Sequence, residues 1–273
     1  MSTLNITTIQ TNLHWEDKAS NFRMLEEKIN SIQEKMQVVI LPEMFSTGFS
    51  MNAKSLAEKM DGPTVEWMKK MASSKNIILS GSVIIEEDSL YYNRLIWMQP
   101  NGQYGFYDKR HRFAYAEEDL HYAAGKKRMI ASVKGWRIHL LVCYDLRFPV
   151  WSRQAIYSKV PGGDGTAPGE PEYDVLVYVA NWPERRVHAW KTLLQARAIE
   201  NQCYVVGVNR TGKDGNNIYY SGESMIIDAM GEVLYTKAKE EDNFTITLEK
   251  EKLYEIRNKF PFLKDADRFH IEP

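Results

Sequence analysis

The 273-residue chain carries 35 Lys+Arg against 36 Asp+Glu, a formal net charge of −1, and 44% of its residues are hydrophobic. This is the composition of a soluble globular chain long enough to bury a substantial core, and its balanced charge excludes a protein held to nucleic acid or anionic membrane by bulk electrostatics. The apolar stretches, such as residues 77–85, fall far short of the roughly 20 residues of a membrane span, and the opening MSTLNITTIQ lacks the basic-then-apolar pattern of a secretory signal. The two cysteines, Cys143 and Cys203, form neither a disulfide framework nor a cysteine-based zinc site. They fit a reducing cytoplasm, where a lone thiol is either core filler or a nucleophile.

Residues 6–10 read as a first strand. Phe22, Leu25, Ile29, Ile32 and Met36 then fall on one face of a helix, spaced by three or four. An apolar strand follows at 38–41. Asp61-Gly62-Pro63 signals a helix start with proline in the first turn, and Val65, Met68 and Met71 continue its buried face. Residues 77–85 form a further strand. The strands 92–98 and 104–109 flank Pro100-Asn101-Gly102, a hairpin signal. Beyond them the pattern predicts a strand at 138–144, a helix at 149–157, a strand at 175–179 and a helix at 187–200. Strands at 204–209, 224–228, 232–236 and 244–248 complete the reading.

Several of these strands are apolar throughout, as expected of sheets covered on both faces. The chain also echoes itself. One half has a strand ending at Pro42-Glu43 and a Gly102 hairpin closing near Lys109; the other has a strand ending at Asn181-Trp182 and a Gly231 hairpin closing near Lys237. The Pro- and Gly-rich stretch 161–171 reads as a surface loop, because strand signals resume at once. One domain over residues 1–273 is expected.

Cys143 lies where an apolar strand meets the next helix, and in α/β sheets the carboxyl ends of strands gather catalysts. Amides at such a turn can activate a thiol, although a small buried apolar residue fits the position too. His139 is four residues away, about 13 Å along a strand at roughly 3.3 Å per residue, so local geometry cannot make it the base. His14, His111, His121, His188 and His270 sit in no protease-like signature, and no HExxH, phosphate loop or dinucleotide fingerprint appears.

Glu43, at the lip of the 38–42 run, suits either base work or capping of the next turn. Lys109 could set an ammonium against developing negative charge or lie solvated. Glu117 and Glu118 occupy an acidic, loop-like stretch. Phe113 and Trp182 are candidates for pocket walls or for core. Asp145 and Arg147 are expected to brace the turn after Cys143, Arg197 and Glu200 to pair locally at i,i+3, and Cys203 to fill core.

Taken in order, Leu41-Pro42-Glu43, Asp108-Lys109 and Val142-Cys143-Tyr144-Asp145-Leu146-Arg147-Phe148 resemble the nitrilase superfamily of carbon–nitrogen hydrolases. Residues 195–201, 209–212 and 222–231 resemble its later segments. The resemblance implies a four-layer α-β-β-α sandwich with internal pseudo-two-fold symmetry, usually dimerised through its α faces. It also implies a Glu43–Lys109–Cys143 triad that attacks an amide through the thiol and passes through a thioester. Glu118, seven residues before Gly125, is the expected supporting carboxylate, with Glu117 as the alternative. The backbone N–H of Tyr144 is expected to join Lys109 at the oxyanion, and neither a cofactor nor a metal is implied.

Residues 178–183 and 190–197 are similar to the bacterial omega-amidase branch. That branch is similar to the eukaryotic omega-amidases, which hydrolyse the terminal amide of 2-oxoglutaramate or 2-oxosuccinamate. The stretch 161–171 is longer than that branch leads one to expect. A small amide substrate is implied, in a cytoplasmic homodimer or larger homo-oligomer that binds neither nucleic acid nor membrane. Another amidase, a carbamoylase or a nitrilase of the superfamily is the alternative, and a non-catalytic scaffold on the same fold a remoter one.

Overall fold

Strand alternation explains why the short runs of the sequence are apolar on every residue. In the strand Val38–Ile40, Val38 and Ile40 enter one hydrophobic cluster while Val39, between them, enters another. Successive side chains leave opposite faces of a strand, so a strand buried on both faces must be apolar throughout.

The computed structural model describes residues 2–154, 170–267, 269 and 271. The first part of the chain runs β1 (Thr3–Gln10), α1 (Lys18–Ser31), β2 (Val38–Ile40), α2 (Ala53–Leu56), α3 (Pro63–Lys75), β3 (Ile78–Glu87), β4 (Leu90–Met98), β5 (Tyr104–Asp108) and α4 (Glu118–His121). The second part runs β6 (Ile130–Val133), β7 (Trp136–Val142), α5 (Pro149–Ser152), β8 (Val175–Ala180), α6 (Val187–Asn201), β9 (Tyr204–Asn209), β10 (Thr211–Lys213), β11 (Tyr219–Ile227), β12 (Val233–Ala238), β13 (Asp242–Glu249) and α7 (Lys250–Lys259).

Among the described residues these strands make a six-stranded sheet ordered β13-β1-β2-β3-β4-β5. A seven-stranded sheet is ordered β10-β11-β9-β8-β7-β6, with β12 on β11. Each has a parallel centre, β1-β2-β3 in one and β7-β8-β9 in the other, continued by antiparallel strands. The two halves therefore share one winding pattern, which is the internal echo of the sequence. Leu4, Ile6, Val38 and Ile40 of the first sheet share a cluster with Leu140, Val142, Val177 and Val179 of the second. On the other face of the first sheet, Val39 and Leu79 pack against Leu25 and Ile29 of α1 and Val65 and Met68 of α3. Trp190, Leu194 and Ala198 of α6 cover the second sheet. The layers are helix, sheet, sheet, helix, the order that the resemblance noted in the sequence implies.

Several boundaries differ from the sequence reading for physical reasons. Helix α1 starts under an Asp17 cap, whose Oδ1 accepts from Ser20 N–H at 3.0 Å, but it ends at Ser31. Ile32 is already extended, so the apolar spacing through Ile32 and Met36 outruns the helix. Strands β3 and β4 form one hairpin whose turn residues, Asp88 and Ser89, both have positive φ. Lacking glycine, that turn gave no signal. The strand expected over 138–144 stops at Val142, and the helix expected over 149–157 is a single described turn, with 155–157 outside the described residues. The loop reading of 161–171 likewise falls, except for its last two residues, outside them. Helix α7 was not anticipated; its Arg257 is buried against Asp174 at 3.1 Å.

Candidate active site

Both sheets deliver side chains to one place, beyond the carboxyl ends of their parallel strands. Glu43 follows β2, Lys109 follows β5, Cys143 follows β7 and Asn181 follows β8. The segment carrying Glu43 is held along β3, where Leu41 N–H donates to Ser80 O at 2.7 Å and Met44 N–H to Ser82 Oγ at 2.8 Å. Lys109 is fixed on both sides by backbone: its N–H donates to Asn93 O, and Gly125 N–H donates to its carbonyl, each at 3.0 Å. Gly125 must be glycine, because a Cβ there would lie 1.8 Å from Asp108 O.

Lys109 Nζ lies 2.9 Å from Glu43 Oε1 and 2.8 Å from Glu118 Oε2, and all three side chains are buried. Glu43 is further held by Asn93 Nδ2 at 2.8 Å and by the Asn181 backbone N–H at 2.8 Å. Glu118 Oε2 accepts from Phe113 N–H at 2.6 Å. Burial pulls the Lys109 pKa down, but Glu118 and then Glu43 outweigh it and raise the ammonium well above its ordinary range. Burial weakens the acidity of Glu118, with Lys109 pulling the other way. Burial first, and then the neighbouring Glu43 charge, push the Cys143 thiol far up, against the pull of Lys109. A thiol in this setting stays protonated until a base takes the proton.

Cys143 sits on a sharp turn, with φ +42° in the left-handed region that L-residues enter at a cost of roughly 1–2 kcal/mol. Asp145 offsets that strain. Its buried carboxylate accepts from Val142 N–H at 3.0 Å, His111 N–H at 3.0 Å and Tyr107 OH at 2.8 Å, while His111 Nδ1 lies 2.7 Å away. The turn places Cys143 in the lining of a cavity of about 480 Å3. Phe113 and Trp182 line its walls, as do Arg147, Arg185 and Arg186. Arg147 lies 5.0 Å over the Trp182 ring and Arg186 4.9 Å over Phe113. The cavity thus joins a thiol with an adjacent carboxylate to a cationic wall.

This order of residues on this fold matches a known family. The pattern described as "Carbon-nitrogen hydrolase" covers residues 5–258. The chain belongs to the carbon–nitrogen hydrolase family. The "Omega-amidase YafV" of Escherichia coli (strain K12) is 42% identical over 272 residues, 99% of this chain and 100% of that protein. The "2-oxoglutaramate amidase" of Bacillus subtilis (strain 168) is 32% identical over 263 residues, 95% of this chain and 96% of that protein. Among solved structures, XC1258 from Xanthomonas campestris, a CN-hydrolase superfamily protein with an arsenic adduct in its active site, superposes with a TM-score of 0.94. It is 42% identical and each chain is covered completely.

In this carbon–nitrogen hydrolase the structure brings together Glu43, Lys109, Cys143 and Glu118, and sets Tyr144, Phe113 and Trp182 around them. Glu117 is exposed and outside the cluster. Asp145 braces the nucleophile turn as expected, whereas Arg147 lines the cavity instead. Arg197 pairs with Glu200 at 3.0 Å and also donates to Leu146 O at 2.7 Å, tying α6 to the same turn. Cys203 is core, its thiol pushed up to about 12 by burial. Sequence reasoning missed Asn93, which bridges both carboxylates from within β4. Nothing local marks it: it stands beside Arg94 at the start of a run buried from residue 93 to 98, with no motif around it.

Proposed function

We propose that this enzyme hydrolyses the terminal amide of small 2-oxo dicarboxylic acid monoamides, such as 2-oxoglutaramate and 2-oxosuccinamate, with Glu43, Lys109 and Cys143 as its working triad. The observation that carries this reading is the cavity itself, where the Cys143 thiol, with Glu43 and Lys109 beside it, faces a wall of arginines suited to an acid amide. The named activities of the Escherichia coli and Bacillus subtilis relatives, omega-amidase and 2-oxoglutaramate amidase, support the same substrate class.

In this route Glu43 takes the Cys143 proton as sulfur attacks the amide carbon. The carbonyl π electrons move onto oxygen, where Lys109 and the Tyr144 backbone N–H hold the oxyanion; one such donor is worth roughly 2.7–4 kcal/mol of barrier. Collapse breaks the carbon–nitrogen bond, and Glu43 returns its proton to the leaving nitrogen, so that ammonia departs and a thioester remains. Glu43 then deprotonates a water that attacks the thioester, and its proton passes back to the Cys143 sulfur. Lys109 stays charged throughout because two carboxylates hold it. It therefore serves as a fixed electrostatic donor, not a base, and Glu118 supports it. The route draws on no metal or cofactor.

Ammonia release tests the reading, with 2-oxoglutaramate set against a nitrile, an N-carbamoyl amino acid and glutamine. Preference for any of the latter three refutes the substrate class. Mass spectrometry of the trapped thioester tests Cys143 directly.

A further inference from the structure

A 2-oxo dicarboxylic monoamide carries a carboxylate at the end remote from its amide. Three arginines line the cavity, and among the described residues none of them is ion-paired. The acids on the same walls are engaged elsewhere. Glu16 accepts from Ser50 Oγ at 2.5 Å, and Asp214 accepts from Tyr220 OH at 2.8 Å and from the Asn216 and Ile218 backbone.

The three cations are not equivalent. Arg147 and Arg185 are exposed, whereas Arg186 is partly withdrawn from water and packs over Phe113. Its backbone is also built in. The Trp182 indole, itself buried, donates to the Arg186 carbonyl at 2.8 Å and fixes the short turn Glu184–Arg186 against the cavity wall. Burial, followed by the Arg185 charge, weakens the hold of Arg186 on its proton, and Arg147 adds a third like charge. The Cys143 and Tyr220 groups are what oppose them. A partly desolvated cation among like charges is costly to maintain without a counter-ion, and a bound carboxylate supplies one through charge-assisted, bidentate hydrogen bonds.

We infer that Arg186 anchors the carboxylate of the substrate and makes this site select acid amides over uncharged ones. The inference rests on the amide-hydrolase reading above and names the group that gives it specificity. Arg147 and Arg185 raise the local potential that draws the anion in, and the bidentate contact is made by Arg186.

The test compares 2-oxoglutaramate with pentanamide, an uncharged amide of the same chain length, in wild type, Arg186→Gln, Arg186→Lys and Arg147→Gln. Wild type is expected to favour the acid amide. In Arg186→Gln that preference falls about 100-fold, or about 2.7 kcal/mol, as expected for loss of a charge-assisted pair. The loss appears mainly in KM, and Arg186→Lys recovers part of it. An Arg186→Gln variant that slows on both amides equally, keeping the wild-type ratio, overturns the anchor and leaves the amidase reading standing. A collapse of the ratio in Arg147→Gln with the ratio kept in Arg186→Gln overturns it as well. Wild type that prefers pentanamide overturns the anchor together with the substrate class.

Discussion

Replacing Glu118 with glutamine keeps the shape of the side chain and removes one of the two charges that hold Lys109. The distances of 2.8 and 2.9 Å from Nζ to the Glu118 oxygens correspond to a gross attraction of about 6 kcal/mol at an effective dielectric constant near 20. Glutamine can still accept one hydrogen bond, but its amide nitrogen then faces the ammonium or the Phe113 N–H. Breaking a buried pair in this way costs about 3–5 kcal/mol, which for a chain of this size lowers the unfolding midpoint by roughly 10 °C. The functional effect follows from the same geometry. Lys109 is left with Glu43 as its counter-ion and draws that carboxylate away from the thiol, so turnover of 2-oxoglutaramate is expected to fall at least about 100-fold, or about 2.7 kcal/mol of barrier.

A second readout separates this account from simple loosening of the fold. The Glu118 charge is one of the causes that push the Cys143 thiol up. Its removal therefore lets the thiolate form at lower pH, and the rate–pH profile of iodoacetamide alkylation moves down while turnover falls. Differential scanning calorimetry, ammonia release and the alkylation profile test the three consequences. A Glu118→Gln enzyme with wild-type midpoint, turnover and alkylation profile refutes the reasoning.

Cys143→Ala is expected to abolish turnover and the thioester mass adduct together; full turnover in this variant contradicts the route. Gly125→Ala drives a methyl group into the Asp108 carbonyl, displacing the loop that fixes Lys109. It should cost several kcal/mol in urea unfolding and at least about tenfold in turnover, and a wild-type urea midpoint would show that the backbone yields without cost. His139 is buried, and burial, with Arg128 adding to it, holds its pKa well below the ordinary value of 6.5. Below pH 6.5 the unfolded chain binds a proton that the folded chain refuses, so stability falls as pH falls, by roughly 1 kcal/mol between pH 7 and 5.5 from this group. His139→Leu should flatten that part of the urea-measured stability profile, and unchanged slopes would exclude His139 as its source.

Much of the fold was legible because burial on both faces writes an unmistakable pattern. Strands β2, β8 and β9 are apolar on nearly every residue, and no solvent-exposed element reads that way. The pattern failed where local signals are silent or misleading. The Asp88-Ser89 turn reverses the chain without glycine, and the spacing of Ile32 and Met36 continues past the end of α1 because those residues are apolar for packing, not for helix formation. The apolar run 138–144 carries Cys143 within an expected strand, yet it lies past Val142 in a left-handed turn that Asp145 braces.

By itself, the sequence determined the strand-and-helix rhythm, the two-fold echo and the identity of the Glu43, Lys109 and Cys143 candidates, because burial and motif order are properties of consecutive residues. Only the tertiary structure decided which of their neighbours matter. Glu118 rather than Glu117 meets Lys109, Asn93 bridges the two carboxylates, and Arg147 and Arg186 converge on one cavity. Asn93 reaches Glu43 across 50 residues of chain and the two arginines come from separate turns of the second half, and the distance between two side chains in space is not encoded in their separation along the sequence.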